Sequence, residues 1–87
     1  MHYFDAKGRL SDEALDQLEA LFKQTTGGPW KSFVEGRDHS SGSDFIKTVN
    51  ADIELYGATR ADQDFIAAAR NAMASLIEEI REHRNAR

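Results

Sequence analysis

The stretch TRADQDFIAAARNAMASLIEEIREHR, residues 59–84, decides the fold, because it reads as one long amphipathic helix. Thr59 is placed to cap it: its hydroxyl accepts from the third helical amide while Asp62 reaches back to the cap, the reciprocal arrangement of a capping box. Apolar residues then recur at Phe65, Ala69, Ala72, Met73, Leu76, Ile77 and Ile80, a three-and-four spacing that gathers them on one side of a 3.6-residue turn. Gln63, Asp64, Arg70, Asn71, Glu78 and Glu82 fall opposite and are expected to face water. Such a helix must bury its stripe, and the remainder of an 87-residue chain is short enough to be mostly the surface that receives it.

Working back towards the amino terminus, residues 27–58 read as strands. Residues 30–35, WKSFVE, and 45–49, FIKTV, are rich in aromatic and branched side chains, and 53–56, IELY, form a third such run. Their connections, a polar loop over 36–43 and the tight Asn50-Ala51-Asp52, are too short to cross over, so an antiparallel meander is expected. Before them, Ser11 is a good helix cap, Asp12 and Glu13 load the first turn with negative charge, and Leu10 can pack on Leu15 as a hydrophobic staple. That helix should run to about Gln24 on a stripe of Ala14, Leu15, Leu18, Leu21 and Phe22. Thr25-Thr26-Gly27-Gly28-Pro29 should stop it through a left-handed glycine and a proline. Residues 1–9 are a lead-in with Tyr3 and Phe4 as possible core anchors and a turn at Asp5-Ala6-Lys7-Gly8, and 85–87 are a frayed tail. The expected fold is α+β: helix, three-stranded antiparallel meander and long C-terminal helix in one two-layer domain, with Trp30 and Phe33 as the largest core side chains.

Charge and composition narrow the function. The net charge of −4 comes from the first two thirds: 1–26 and 27–58 each hold three basic and five acidic residues, whereas 59–87 hold five of each. Phosphate neutralisation needs clustered cations, and the one concentration, Arg81, Arg84 and Arg87, is accounted for by the negative end of a helix. Nucleic-acid binding is therefore not expected. The lack of cysteine removes disulfides, thiolate zinc sites and a cysteine nucleophile together. No run approaches the roughly 20 apolar residues of a membrane span and no signal peptide is apparent, so a cytoplasmic protein is expected.

The most function-like stretch is the loop from Glu35 to Asp44. His39, Ser40, Ser41, Ser43, Glu35, Asp38 and Asp44 supply the materials of a hydrolytic triad, which would make a small hydrolase or nucleotide-handling enzyme. Against this, no nucleophile-elbow pattern is present, and neighbours in one loop rarely hold contacts of about 3 Å. His2, His39 and His83 are scattered without metal-ligand spacing, so neither a metal nor a cofactor is expected. Gly27-Gly28 precedes a strand and lacks the lysine of a phosphate loop. Recognition by surface remains. The candidate binding residues are Arg37, Asp38, His39 and Ser40 in the loop, and Asp12, Asp16 and Glu19 along one outer face of the first helix.

Gly28-Pro29-Trp30 after a first helix, Val34-Glu35-Gly36-Arg37-Asp38-His39, and the helix start from Ala61 to Arg70 together resemble a group of small uncharacterised bacterial and phage-borne proteins, distantly similar to ead-type phage early proteins. In that group a Gly-Pro-Trp turn leads to a short sheet and a helix opening Asp-x-x-Phe-Ile-Ala-x-Ala-Arg. This chain has Gly27 where threonine is usual, and Met73 or Ala74 where a proline often interrupts the helix. The group carries no activity to transfer. What the resemblance implies is a mobile-element or interbacterial-conflict setting, in which small acidic proteins serve as inhibitors or immunity partners. The expected function is thus a non-enzymatic binding protein that inhibits or regulates a protein partner, in the manner of a toxin immunity protein. A homodimeric module pairing through the alanine-rich helix is the third reading.

Overall fold

In a computed structural model, Ser11 opens the first helix as its sequence suggests: the hydroxyl accepts the Ala14 N–H at 3.0 Å and the carbonyl accepts that of Leu15 at 3.1 Å. The structure describes Phe4, residues 7–40 and residues 42–86; Tyr3, Asp5, Ala6, Ser41 and Arg87 lie outside the described residues. Helix α1 spans Asp12–Gln24. Its stop differs from expectation. Gly27 and Gly28 are not left-handed; Thr25 closes the helix in extended conformation, its N–H and hydroxyl both donating to the Phe22 carbonyl at 3.0 and 2.7 Å. A β-hydroxyl beside the last turn can satisfy an orphan carbonyl without a positive φ.

Strands β1, Lys31–Phe33, and β2, Phe45–Lys47, pair antiparallel with Ser32 opposite Ile46. The expected three-stranded meander reduces to this two-stranded sheet plus one bridge, where Ile46 and Ile53 exchange both backbone bonds at 2.8 Å. Pairing goes no further because Leu55 is drawn into a turn with Ala58, with Gly57 at φ +81°. Ile46 consequently lies in the middle, with Ser32 on one side and Ile53 on the other. Helix α2 spans Arg60–Asn85, and its capping box is present: Thr59 Oγ1 accepts the Asp62 N–H at 3.0 Å, and Asp62 Oδ2 accepts the Thr59 N–H at 3.1 Å.

The chain divides into two compact units, one holding the described residues of Met1–Thr25 and Met73–Arg87, the other Thr26–Ala72. The first buries Ala14, Leu15 and Ile77. The second buries Val34, Ile46, Thr48, Gln63 and Ala67. Trp30 and Phe33 are half-buried, and Phe4, expected as an anchor, is exposed.

The face of α2 that is turned inward corrects the sequence reading in part: Ile77 is buried and Ala69, Met73 and Ile80 are half-buried as expected. Gln63, Ala67 and Ile77 are buried and Arg70, Arg81 and Arg84 half-buried, whereas Phe65 and Leu76 are 72% and 49% exposed. Polar residues expected in water have found partners. Gln63 bonds to the sheet, and Arg70 donates to the Thr26 carbonyl at 3.1 Å while lying 5.3 Å from the Trp30 ring centre. Long side chains whose heads are satisfied and whose stems cover apolar surface compete successfully with a purely hydrophobic stripe. A Cβ at position 28 would lie 2.7 Å from Arg70 Nη1, so a larger residue there would oblige the end of the Arg70 side chain to shift. Asn71 completes the anchoring of Trp30, accepting its N–H and donating to its carbonyl, both at 2.7 Å, in the manner of a strand rung.

Candidate functional site

The loop after β1 is a turn built by its own polar residues. The Val34 carbonyl accepts the N–H groups of Arg37 and Asp38 at 3.1 and 2.8 Å, and the Gly36 N–H donates to the His39 carbonyl at 2.7 Å. Gly36 supplies the φ of +82° that this turn needs. Asp38 Oδ2 accepts the Val34 N–H and the Arg37 Nε–H, each at 2.9 Å. Asp44 Oδ1 accepts the Glu35 N–H at 2.8 Å. The His39 ring is half-buried and tilted against Phe45, with centroids 5.4 Å apart. Ser40 is exposed.

Arg37 ties the loop to α2 through a two-pronged contact with Asp64, Nη1 to Oδ2 at 2.8 Å and Nη2 to Oδ1 at 2.9 Å. Bonding to Asp64 and then to Asp38 holds the guanidinium more firmly in its charged form. Arg37, followed by the Ser32 hydroxyl, pushes Asp64 well below the usual carboxylate range, and Arg37 with the Val34 N–H lowers Asp38. Both folded-state values lie below the ordinary 3.8, so on acidification the unfolded chain takes up these protons first. The stabilisation is therefore complete above about pH 4 and is lost as pH falls through the lowered values. In urea unfolding at descending pH, Asp64→Asn should flatten the acid limb relative to wild type. Parallel limbs would show that the Arg37 fork contributes nothing to folding.

The acids on α1 also have partners. Arg81 donates to Asp16 at 2.7 Å and Glu19 at 2.8 Å, and Arg84 donates to Asp12 and the Leu10 carbonyl, both at 2.6 Å. Lys23 lies 3.7 Å from Glu19. Three carboxylates thus face three cations, and this face is balanced where the sequence suggested an acidic patch. Asp12 and Asp16 remain well exposed, so the pairs are surface ion pairs of modest strength. Substituting these acids acts on the fold as well as on any partner.

Of the seven sequence-selected residues, the structure joins Arg37 to Asp38 within the loop, and pairs Asp12, Asp16 and Glu19 with Arg81 and Arg84 of their own unit. Asp38, Asp44 and Asp64 each accept bonds that shape or anchor the loop. Among the described residues no group of three or more His, Asp or Glu is placed to hold a metal ion.

A surface that sequence reasoning missed lies in the Thr26–Ala72 unit. Tyr56, at the turn into α2, is fully exposed, and Phe65 and Ile66 are 72% and 39% exposed. With Leu55, Ala58 and Asp62 they line an open cleft of about 390 Å³. Adjacency was the available signal: Phe65 and Ile66 are about 100° apart on a helix and are hard to seat together in one narrow stripe. Comparison of the chain with known proteins gives no match, whether to family models, to curated proteins or to solved structures. No helix among the described residues is long and apolar enough to cross a membrane.

Proposed function

We propose that this chain is a non-enzymatic, cytoplasmic binding protein that inhibits or regulates a protein partner, in the manner of a toxin immunity protein, and that it engages that partner through the cleft around Tyr56 and Phe65. One observation carries the reading: two large aromatic side chains and Ile66 stand open to solvent together around one cleft of a small unit. Aromatic residues presented in this way are typical anchors of protein interfaces. The contacts of the His39 loop support the same view, since its carboxylates are engaged in shaping the turn.

Affinity capture from the native host with the tagged chain tests this directly. Wild type should retain one protein in stoichiometric amount, and Phe65→Asp should lose it while keeping the wild-type melting temperature. Recovery of the chain alone, or equal retention by Phe65→Asp, overturns the reading; recovery of a second copy of the chain would replace it by the homodimer.

A further inference from the structure

The cleft around Tyr56 and Phe65 combines two chemistries that meet in few ligands. Its walls are aromatic and aliphatic: Tyr56 at 107% relative exposure and Phe65 at 72%, with Leu55, Ala58 and Ile66 beside them. Its charged lining residue is Asp62. That carboxylate accepts the Thr59 N–H through Oδ2 at 3.1 Å and is thereby held at the first turn of α2. Asp52 and Glu54, both exposed, precede Tyr56 on the same segment and add negative potential. The nearest cation in sequence, Arg60, directs a guanidinium nitrogen to the Glu35 carbonyl at 3.4 Å. An anionic occupant would meet repulsion here, and a purely apolar one would leave Asp62 facing it without a counter-charge.

We infer that the cleft receives an arginine or lysine side chain from a basic segment of the protein partner, the aliphatic stem lying on Ile66 and the cation set over an exposed ring within reach of Asp62. The aromatic face attracts the cation through its quadrupole, the carboxylate pairs with it, and the apolar wall covers the methylenes. This assignment rests on the binding reading above and specifies the partner's chemistry at the same site. Long-range attraction from Asp52, Glu54 and Asp62 would raise the encounter rate with a basic partner and make it salt-sensitive.

The test is a titration of the isotopically labelled full chain, followed by amide resonances, with short arginine-rich, lysine-rich and glutamate-rich peptides of equal length. The basic peptides should shift Tyr56, Ala58, Phe65 and Ile66, and the acidic peptide should not. Phe65→Leu keeps the apolar volume and removes the ring; Asp62→Asn keeps a side-chain oxygen for the Thr59 cap and removes the charge. Each should weaken basic-peptide binding by about threefold, with the unperturbed spectrum of the remaining chain reporting intact folding. No shift with basic peptides, equal shifts with the acidic one, or unchanged affinity in both variants would overturn the inference. If the peptides fail while Phe65-dependent capture of a partner persists, the occupant's chemistry is wrong and the binding reading stands. If capture fails while the peptide shifts remain, the cation site stands and the protein-partner reading falls.

Discussion

Ile46→Ala is expected to lower the unfolding free energy by about 3 to 4 kcal/mol, the sum of lost transfer energy and a residual cavity. Ile46 has no exposed surface and lies between Ser32 and Ile53, so the truncation opens a hole that no flexible neighbour on a chain end can fill. Its backbone bonds to Ile53 at 2.8 Å are unaffected by the change, which isolates packing as the cause. For a chain of this size total stability is roughly 4 to 13 kcal/mol, so the variant should sit close to the edge of folding. Ile46→Val removes one methylene and should lose about 1 kcal/mol. Val49→Ala, at a side chain 66% exposed, should stay within about 0.5 kcal/mol of wild type. Urea unfolding with a constant slope checks all three, and equal midpoints for Ile46→Ala and Val49→Ala would remove Ile46 from the core.

Local rules were legible in the sequence wherever one residue type satisfies one backbone need. Ser11 and the Thr59–Asp62 pair announce helix starts because a short oxygen-bearing side chain next to an apolar run has few better uses. β1 and β2 follow from aromatic and branched residues in the same way. The third run failed as a strand even though Ile53-Glu54-Leu55-Tyr56 has similar composition, because Gly57 permits a turn that withdraws Leu55 from the ladder after one rung. Composition reports what a segment tolerates, and the next turn decides how much of it pairs.

The rotation of α2 was not legible for a related reason. A hydrophobic stripe is counted from apolar side chains, whereas Gln63, Arg70, Arg81 and Arg84 gain more by reaching carbonyls and carboxylates than by facing water. The partners of those heads are distant in sequence: Ser32, Thr26, Glu19 and Leu10. No local pattern records them. In the Thr26–Ala72 unit Gln63 and Ala67 turn inward and leave Phe65 outside; in the other unit Arg81 and Arg84 reach the acids of α1.

Gln63 concentrates that lesson, and its replacement carries the second large expected effect. The side-chain amide is 3% exposed, and Nε2 lies 2.8 Å from Ser32 Oγ and 3.1 Å from the carbonyls of both Phe33 and Phe45. Two amide hydrogens serve three acceptors, so the bonds are shared, and they fasten the first turns of α2 to both strands at the Phe33–Phe45 pair. Gln63→Leu keeps the volume and removes the donors; it should lose about 2 kcal/mol, the two hydrogen bonds at about 1 kcal/mol each. Gln63→Ala adds a cavity and should lose about 3 to 4 kcal/mol. Gln63→Glu separates hydrogen bonding from shape. An ionised carboxylate there would point acceptors at two carbonyls in a buried site, so its folded-state pKa must rise above the unfolded value near 4.3. Below about pH 4 the acid is protonated in both states and can donate one bond, and the penalty grows as pH rises above that value. The variant should therefore gain stability relative to wild type on acidification, opposite in sign to the loss assigned to Asp64. A Gln63→Glu stability difference that does not change between neutral and acid pH would mean that the amide does not act as a buried donor, and the sheet would have to be held to α2 by packing alone.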